Sequence, residues 1–174
     1  KYLPYYKYII WAVAVLILLL MTFFQIRPEE AGVITRFGRY IRTEEPGLHL
    51  KMPILENLYK VAVERQHKEE FGFRTLSSGI RSEYTKSGTS DESLMLTGDL
   101  NLADVEWVVQ YRIDDPYKYL FKVREPVSTM RDISEAIMRQ IVGDRTVNEV
   151  LTVGRAEISS IVQLEVQKLC TEYS

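Results

Sequence analysis

The spacing of hydrophobic positions changes twice along this chain, from an unbroken apolar run, to strict alternation, to a recurrence every third or fourth residue. Residues 8–26, YIIWAVAVLILLLMTFFQI, hold no charge, proline or glycine. As a helix that run would extend about 28 Å, which matches the hydrocarbon core of a bilayer. From Ala31 the pattern becomes that of strands. AGVITRF reaches Phe37-Gly38-Arg39, where glycine supplies the backbone freedom of a tight turn, and RYIR returns. Pro46-Gly47 marks a second turn, followed by LHLKMPIL with Leu48, Leu50 and Met52 on one face and His49 and Lys51 on the other. In LYKVAVERQ, Tyr59, Val61 and Val63 alternate with Lys60 and Glu64. Ser77 to Ser93 is rich in Ser, Gly and Thr and lacks apolar periodicity, so it reads as a surface loop. LMLTGDLNL suits a hairpin or bulged corner at Gly98-Asp99. Val105, Trp107, Val109, Tyr111 and Ile113 then hold period two, a row expected to face a core. Together these pieces predict an antiparallel sheet of about five or six strands.

At Asp115-Pro116 the period lengthens: Asp115 is a good N-cap and Pro116 fits the first helical position. Pro126 opens a longer helix with Met130, Ile133, Ile137 and Ile141 on one stripe and Gly143 as its stop. Thr146 to Glu149 reads as a capping box. A last helix carries Ile158, Val162, Val166, Leu169 and Tyr173 on one face. The expected fold class is α+β: a flank over 1–7, a transmembrane helix over 8–26, a membrane-proximal β-rich part over 27–114 and an α-rich part over 115–174.

Signal peptides and buried soluble helices are apolar too, and neither fits this run. A signal-peptide core is usually shorter, and TFFQIRPEE lacks the small-residue pattern that a signal peptidase cuts. A buried helix in so small a chain is rarely apolar on every side. The run is therefore read as a single span with Tyr8, Trp11, Leu16, Leu18, Leu20, Phe23 and Phe24 in the bilayer; Tyr2, Tyr5 and Tyr6 join Tyr8 and Trp11 at one headgroup level. Charge counting sets Lys1 and Lys7 against Arg27, Arg36, Arg39 and Arg42 and by itself favours a cytoplasmic domain after the span. The chain opens on a lysine, so a leading segment is expected to be missing from that count.

Composition narrows the function classes. The net charge of −2 argues against a nucleic-acid partner. The one cysteine, Cys170, falls on the last helix's apolar stripe and reads as a small core residue. No Gly-rich phosphate loop, HExxH, CxxC or nucleophile-elbow pattern occurs. His49 and His67 fall on polar faces and read as solvated, Asp114-Asp115 as a helix cap, and Glu69-Glu70 and Asp91-Glu92 as solvated charges. No catalytic, cofactor or metal residue is expected, and the chain does not read as an enzyme. For the apolar positions Leu48, Leu50, Met52, Ile54 and Leu55 two roles stay open: dipping into the near leaflet, or filling the sheet's core.

Five stretches carry a resemblance: EEAGVITRFGRY at 29–40, EPGLHLKMP at 45–53, LTGDLNLADVEWVVQYRI at 96–113, DPYKYLF at 115–121 and RQIVGDRTVNEVLTVGR at 139–155. In that order they resemble the SPFH family (stomatin, prohibitin, flotillin and HflK/HflC), most of all its HflK branch. The resemblance implies an SPFH-type domain on one transmembrane helix, continuing past the last helix into a further strand and a long coiled helix. It also implies a scaffold: a large homo- or hetero-oligomer with an HflC-like paralogue, closing into a ring or cage that regulates or compartmentalises an FtsH-type AAA protease. In that branch the domain lies outside the cytoplasm of the bacterial inner membrane, against the literal charge count. The 77–93 loop looks longer than in relatives. Two alternatives stand beside the scaffold. One is a stomatin- or flotillin-like organiser of membrane microdomains or channels, disfavoured by the absence of a mid-span proline. The other is a membrane-tethered hydrolase whose site lies outside this stretch of chain.

Overall fold

A computed structural model describes residues 5–77, 83–86, 88–152 and 154–172. In chain order the elements are α1 (Tyr5–Thr22), β1 (Phe23–Ile26), β2 (Glu30–Arg36), β3 (Arg39–Glu44), β4 (Gly47–Leu50), β5 (Glu56–Ala62), β6 (His67–Phe71), β7 (Arg74–Ser77) and β8 (Glu83–Thr85). After them come α2 (Ser90–Ser93), β9 (Leu94–Leu96), β10 (Leu102–Asp104), β11 (Trp107–Tyr111), α3 (Pro116–Phe121), α4 (Pro126–Gly143), α5 (Val147–Leu151) and α6 (Gly154–Glu172). The chain divides into two compact units: Lys1–Arg65 with Arg112–Leu120, and Gln66–Tyr111 with Phe121–Ser174. β6–β11 thus group with α4–α6, while most of α3 groups with the first three-stranded sheet.

The single sheet of five or six strands is also replaced. Every strand pairing among the described residues is antiparallel, but the strands form one three-stranded sheet, β3-β2-β5, and four two-stranded ones. The first unit is built on β2, whose Val33 and Ile34 are both fully buried although they point to opposite faces. One face is covered by Ile26 of β1, and Gly32 makes room: a Cβ there would lie 2.5 Å from Ile26 Cδ1. The β2–β3 connection is the two-residue turn expected at Phe37-Gly38, with φ of 51° and 81°, the left-handed values a hairpin turn of this kind needs.

The second unit has its core where α4, α6 and β9 meet. Met95, Ile137, Met138, Val142, Val150, Ile158 and Val162 are buried there, with Val105, Trp107, Ile133, Ile141, Val166 and Leu169 packed around them. The α4 stripe is wider than expected, since Ser134, Met138 and Val142 join Met130 and Ile137; a helix covered from two sides buries more than one row. The expected row from Val105 to Ile113 keeps its alternation, but the strand breaks between β10 and β11. The expected caps form: Asp115 Oδ1 accepts from Tyr117 and Lys118 N–H at 2.9 and 3.1 Å, and Thr146 and Glu149 close the capping box. Tyr173 lies outside the described residues, as do 78–82 and 87 of the expected 77–93 loop; the described part of that loop includes β8 and α2.

Candidate membrane interface

α1 is long and apolar enough to cross a membrane, and none of its residues is buried. Tyr8, Trp11, Leu16, Leu18 and Leu20 all lie in it with large exposed surfaces. The helix stops at Thr22, four residues before the expected end at Ile26. Phe23 and Phe24 instead open β1, which pairs with β4 in the register Phe23↔Leu50 to Ile26↔Gly47. The reason is a competing partner. The carbonyl of Thr22 accepts the Lys51 N–H at 2.8 Å, so the chain leaving the helix is captured as a strand at once, with no linker between.

That capture places the segment after β4 beside the helix end. Leu48 is 70% exposed, Met52 50% and Ile54 85%, with Leu50 and Leu55 exposed too. All five side chains are exposed, so none of them fills the core of the first unit, where Ile26 covers one face of β2.

The loop that carries Met52, Ile54 and Leu55 is held in shape by Glu56. This carboxylate is buried, yet its Oε2 accepts the Met52 N–H at 2.9 Å, and its Oε1 accepts from Arg36 Nη2 at 2.7 Å, with Arg42 Nη1 at 3.5 Å. The Arg36 hydrogen bond first, then the Met52 N–H, hold its pKa below the ordinary carboxylate value against the opposing effect of burial. The Glu56 N–H in turn donates to the Met52 carbonyl at 3.1 Å, closing the loop into a ring. Within it Ile54 sits at φ 72°, a left-handed conformation that is unusual for a β-branched residue. A branched apolar side chain is thus displayed at its tip at a conformational cost.

Charges expected to be solvated turn out to be structural. In the second unit Arg131 donates from Nη1 to Glu69 at 2.8 Å and to the Glu70 carbonyl at 3.1 Å, and from Nη2 to Glu92 at 3.1 Å. Its guanidinium lies 4.4 Å over the Phe71 ring, which stacks on Trp107. Arg74 shares Glu92, and Glu70 also accepts from Lys68 and Thr75. These contacts, Lys68 foremost, pull the Glu70 pKa down to about 2. Neither histidine is freely solvated: His49 contacts Glu44 at 3.2 Å and the Glu45 carbonyl at 2.8 Å, and His67 stacks on Tyr111. Cys170 is half-buried on α6, and burial pushes its thiol pKa up. Among the described residues no group of three or more His, Cys, Asp or Glu gathers to hold a metal.

An apolar helix running without a linker into strands, with the longer helices α4 and α6 following in the chain, defines a module that is β-rich first and α-rich afterwards. The chain belongs to the SPFH domain / Band 7 family, whose profile it matches over residues 24–174. It is 52% identical over 135 residues to Protein HflK of Treponema pallidum, covering 76% of this chain and 41% of that protein. Protein HflK of Borreliella burgdorferi is 33% identical over 174 residues, 100% of this chain and 55% of that protein. The Modulator of FtsH protease HflK of Escherichia coli is 33% identical over 165 residues, 95% of this chain and 33% of that protein. The chain thus spans between a third and about half the length of these relatives.

Proposed function

We propose that this chain is the anchored part of an HflK-like scaffold that modulates an FtsH-type AAA protease. α1 crosses the bacterial inner membrane once, the SPFH domain lies outside the cytoplasm, and copies assemble with an HflC-like paralogue into a large ring or cage. The observation that carries this is the junction. An apolar helix with no buried residue would be strongly unfavourable in water, and it passes directly into a hydrogen-bonded sheet. A rigid junction fixes each module's orientation to the bilayer before assembly, so little ordering entropy is lost when copies meet. The HflK names of the relatives, one of them a modulator of FtsH protease, point to the same role. That role is regulation rather than catalysis. Extraction of the full-length protein in mild detergent should yield a very large assembly, and its pull-down should recover an HflC-like protein and an AAA protease by mass spectrometry. Recovery of a lone monomer would overturn the scaffold.

Part of the same proposal concerns Leu48, Leu50, Met52, Ile54 and Leu55, whose side chains dip into the near leaflet. Their exposure beside the end of α1 supports this. An environment-sensitive fluorophore at position 50 in reconstituted vesicles should be quenched by lipid-borne quenchers. No quenching would remove these residues from the lipid.

A further inference from the structure

The rim of the first unit next to the end of α1 holds an unbalanced charge. The last rung of the three-stranded sheet reads Arg39–Arg36–Glu56 across β3, β2 and β5. Two arginines directly opposite one another repel. Arg36 is compensated by Glu56, which also serves Arg42, and Arg42 additionally pairs with Glu44. Neither the exposed Arg39 nor the partly buried Lys51 has a carboxylate partner among the described residues. Between Arg36 and Arg39, Phe37 stands at the turn, 81% exposed and at φ 51°, where a glycine or asparagine would sit with less strain.

This rung adjoins the segment proposed above to dip into the bilayer. Glu56 ties it to the 52–55 loop, and the Lys51 N–H ties that loop to the end of α1. An exposed aromatic ring beside an unpaired arginine, on a rim that also carries the unpaired Lys51 and an apolar segment, matches the interfacial layer of a membrane whose headgroups are anionic.

We propose that Arg39 and Lys51 each engage anionic phospholipid headgroups on this rim, with Phe37 seated among the headgroups beside Arg39. It rests on the near-leaflet placement above and adds to it a lipid preference. Two cations near the surface favour seating on anionic lipid, each by about fivefold in the equilibrium between seated and free tip. The preference weakens as salt screens it.

The test uses the full-length protein carrying Cys170→Ser, with a fluorophore attached to Phe37→Cys or, separately, to Leu50→Cys. The labelled protein is reconstituted in phosphatidylcholine vesicles with and without phosphatidylglycerol, each containing headgroup-level quencher lipid. Position 37 should be quenched more strongly in the anionic vesicles, and Arg39→Gln with Lys51→Gln should abolish that difference while position 50 stays quenched. Arg39 is exposed and Lys51 partly buried, and far-UV circular dichroism checks that the fold is retained. Equal quenching at position 37 in both vesicles overturns the lipid preference. Quenching at position 50 but not 37 overturns the site while leaving the near-leaflet placement standing. Loss at both positions overturns that placement as well. Fluorescence loss that follows the protein-to-lipid ratio instead of the quencher assigns the rim to contact between copies and overturns the proposal.

Discussion

Replacing Glu56 with glutamine should destabilise the first unit by about 2–3 kcal/mol, toward the lower end for breaking a buried ion pair because Arg36 and Arg42 are each 36% exposed. The amide keeps one acceptor oxygen but turns its NH2 toward either Arg36 or the Met52 N–H, both of which are donors. The loop bearing Ile54 then loses its brace, so limited proteolysis between Lys51 and Glu56 should accelerate along with the drop in denaturant midpoint in detergent. The pH dependence has a definite sign. A carboxyl whose folded pKa lies below its unfolded value stabilises the fold above the unfolded value, near 4.5, and that contribution fades as pH falls further. Wild type should therefore lose stability on acidification below about pH 4.5, more steeply than Glu56→Gln. Equal acid sensitivity would show that the clip contributes little.

Arg131→Ala should have an effect of about 3 kcal/mol on the second unit, since it removes two carboxylate contacts, a carbonyl hydrogen bond and a cation–π contact at once. Glu92 retains Arg74, but Glu69 loses its cation in a site where it is only 24% exposed. Arg131→Lys should restore less than half of the loss, because one ammonium cannot span Glu69 and Glu92 or stack flat on Phe71. Denaturant unfolding followed by Trp107 fluorescence reports this directly, since Trp107 stacks on Phe71. A loss under 1 kcal/mol for Arg131→Ala would mean that water replaces the network at little cost.

The features legible in the chain are those whose partners lie within a few residues. The Thr146–Glu149 box, the Asp115 cap and the Phe37-Gly38 turn formed as expected because residue type and spacing alone specify them. The networks were not legible. Glu92 and Arg131 are 39 residues apart, Glu69 and Arg131 are 62 apart, and both carboxylates read locally as solvated charges. The five apolar positions from Leu48 to Leu55 were recognisable as notable, but whether they faced a core depended on Ile26 having already covered β2.

Some properties of this protein follow from the chain alone. The unbroken apolar run, the change from period two to period three or four, and the local caps establish a hydrophobic helix followed by strands and then helices, because backbone geometry repeats at those spacings. Three matters were decided only by the tertiary structure: where α1 ends, which strands join which unit, and which charges are buried. Each depends on a competition between partners distant in sequence. The Lys51 N–H reaches Thr22 and draws FFQI out of the helix into β1; Phe and Ile accept a strand readily, but only the distant partner decides between strand and continued helix.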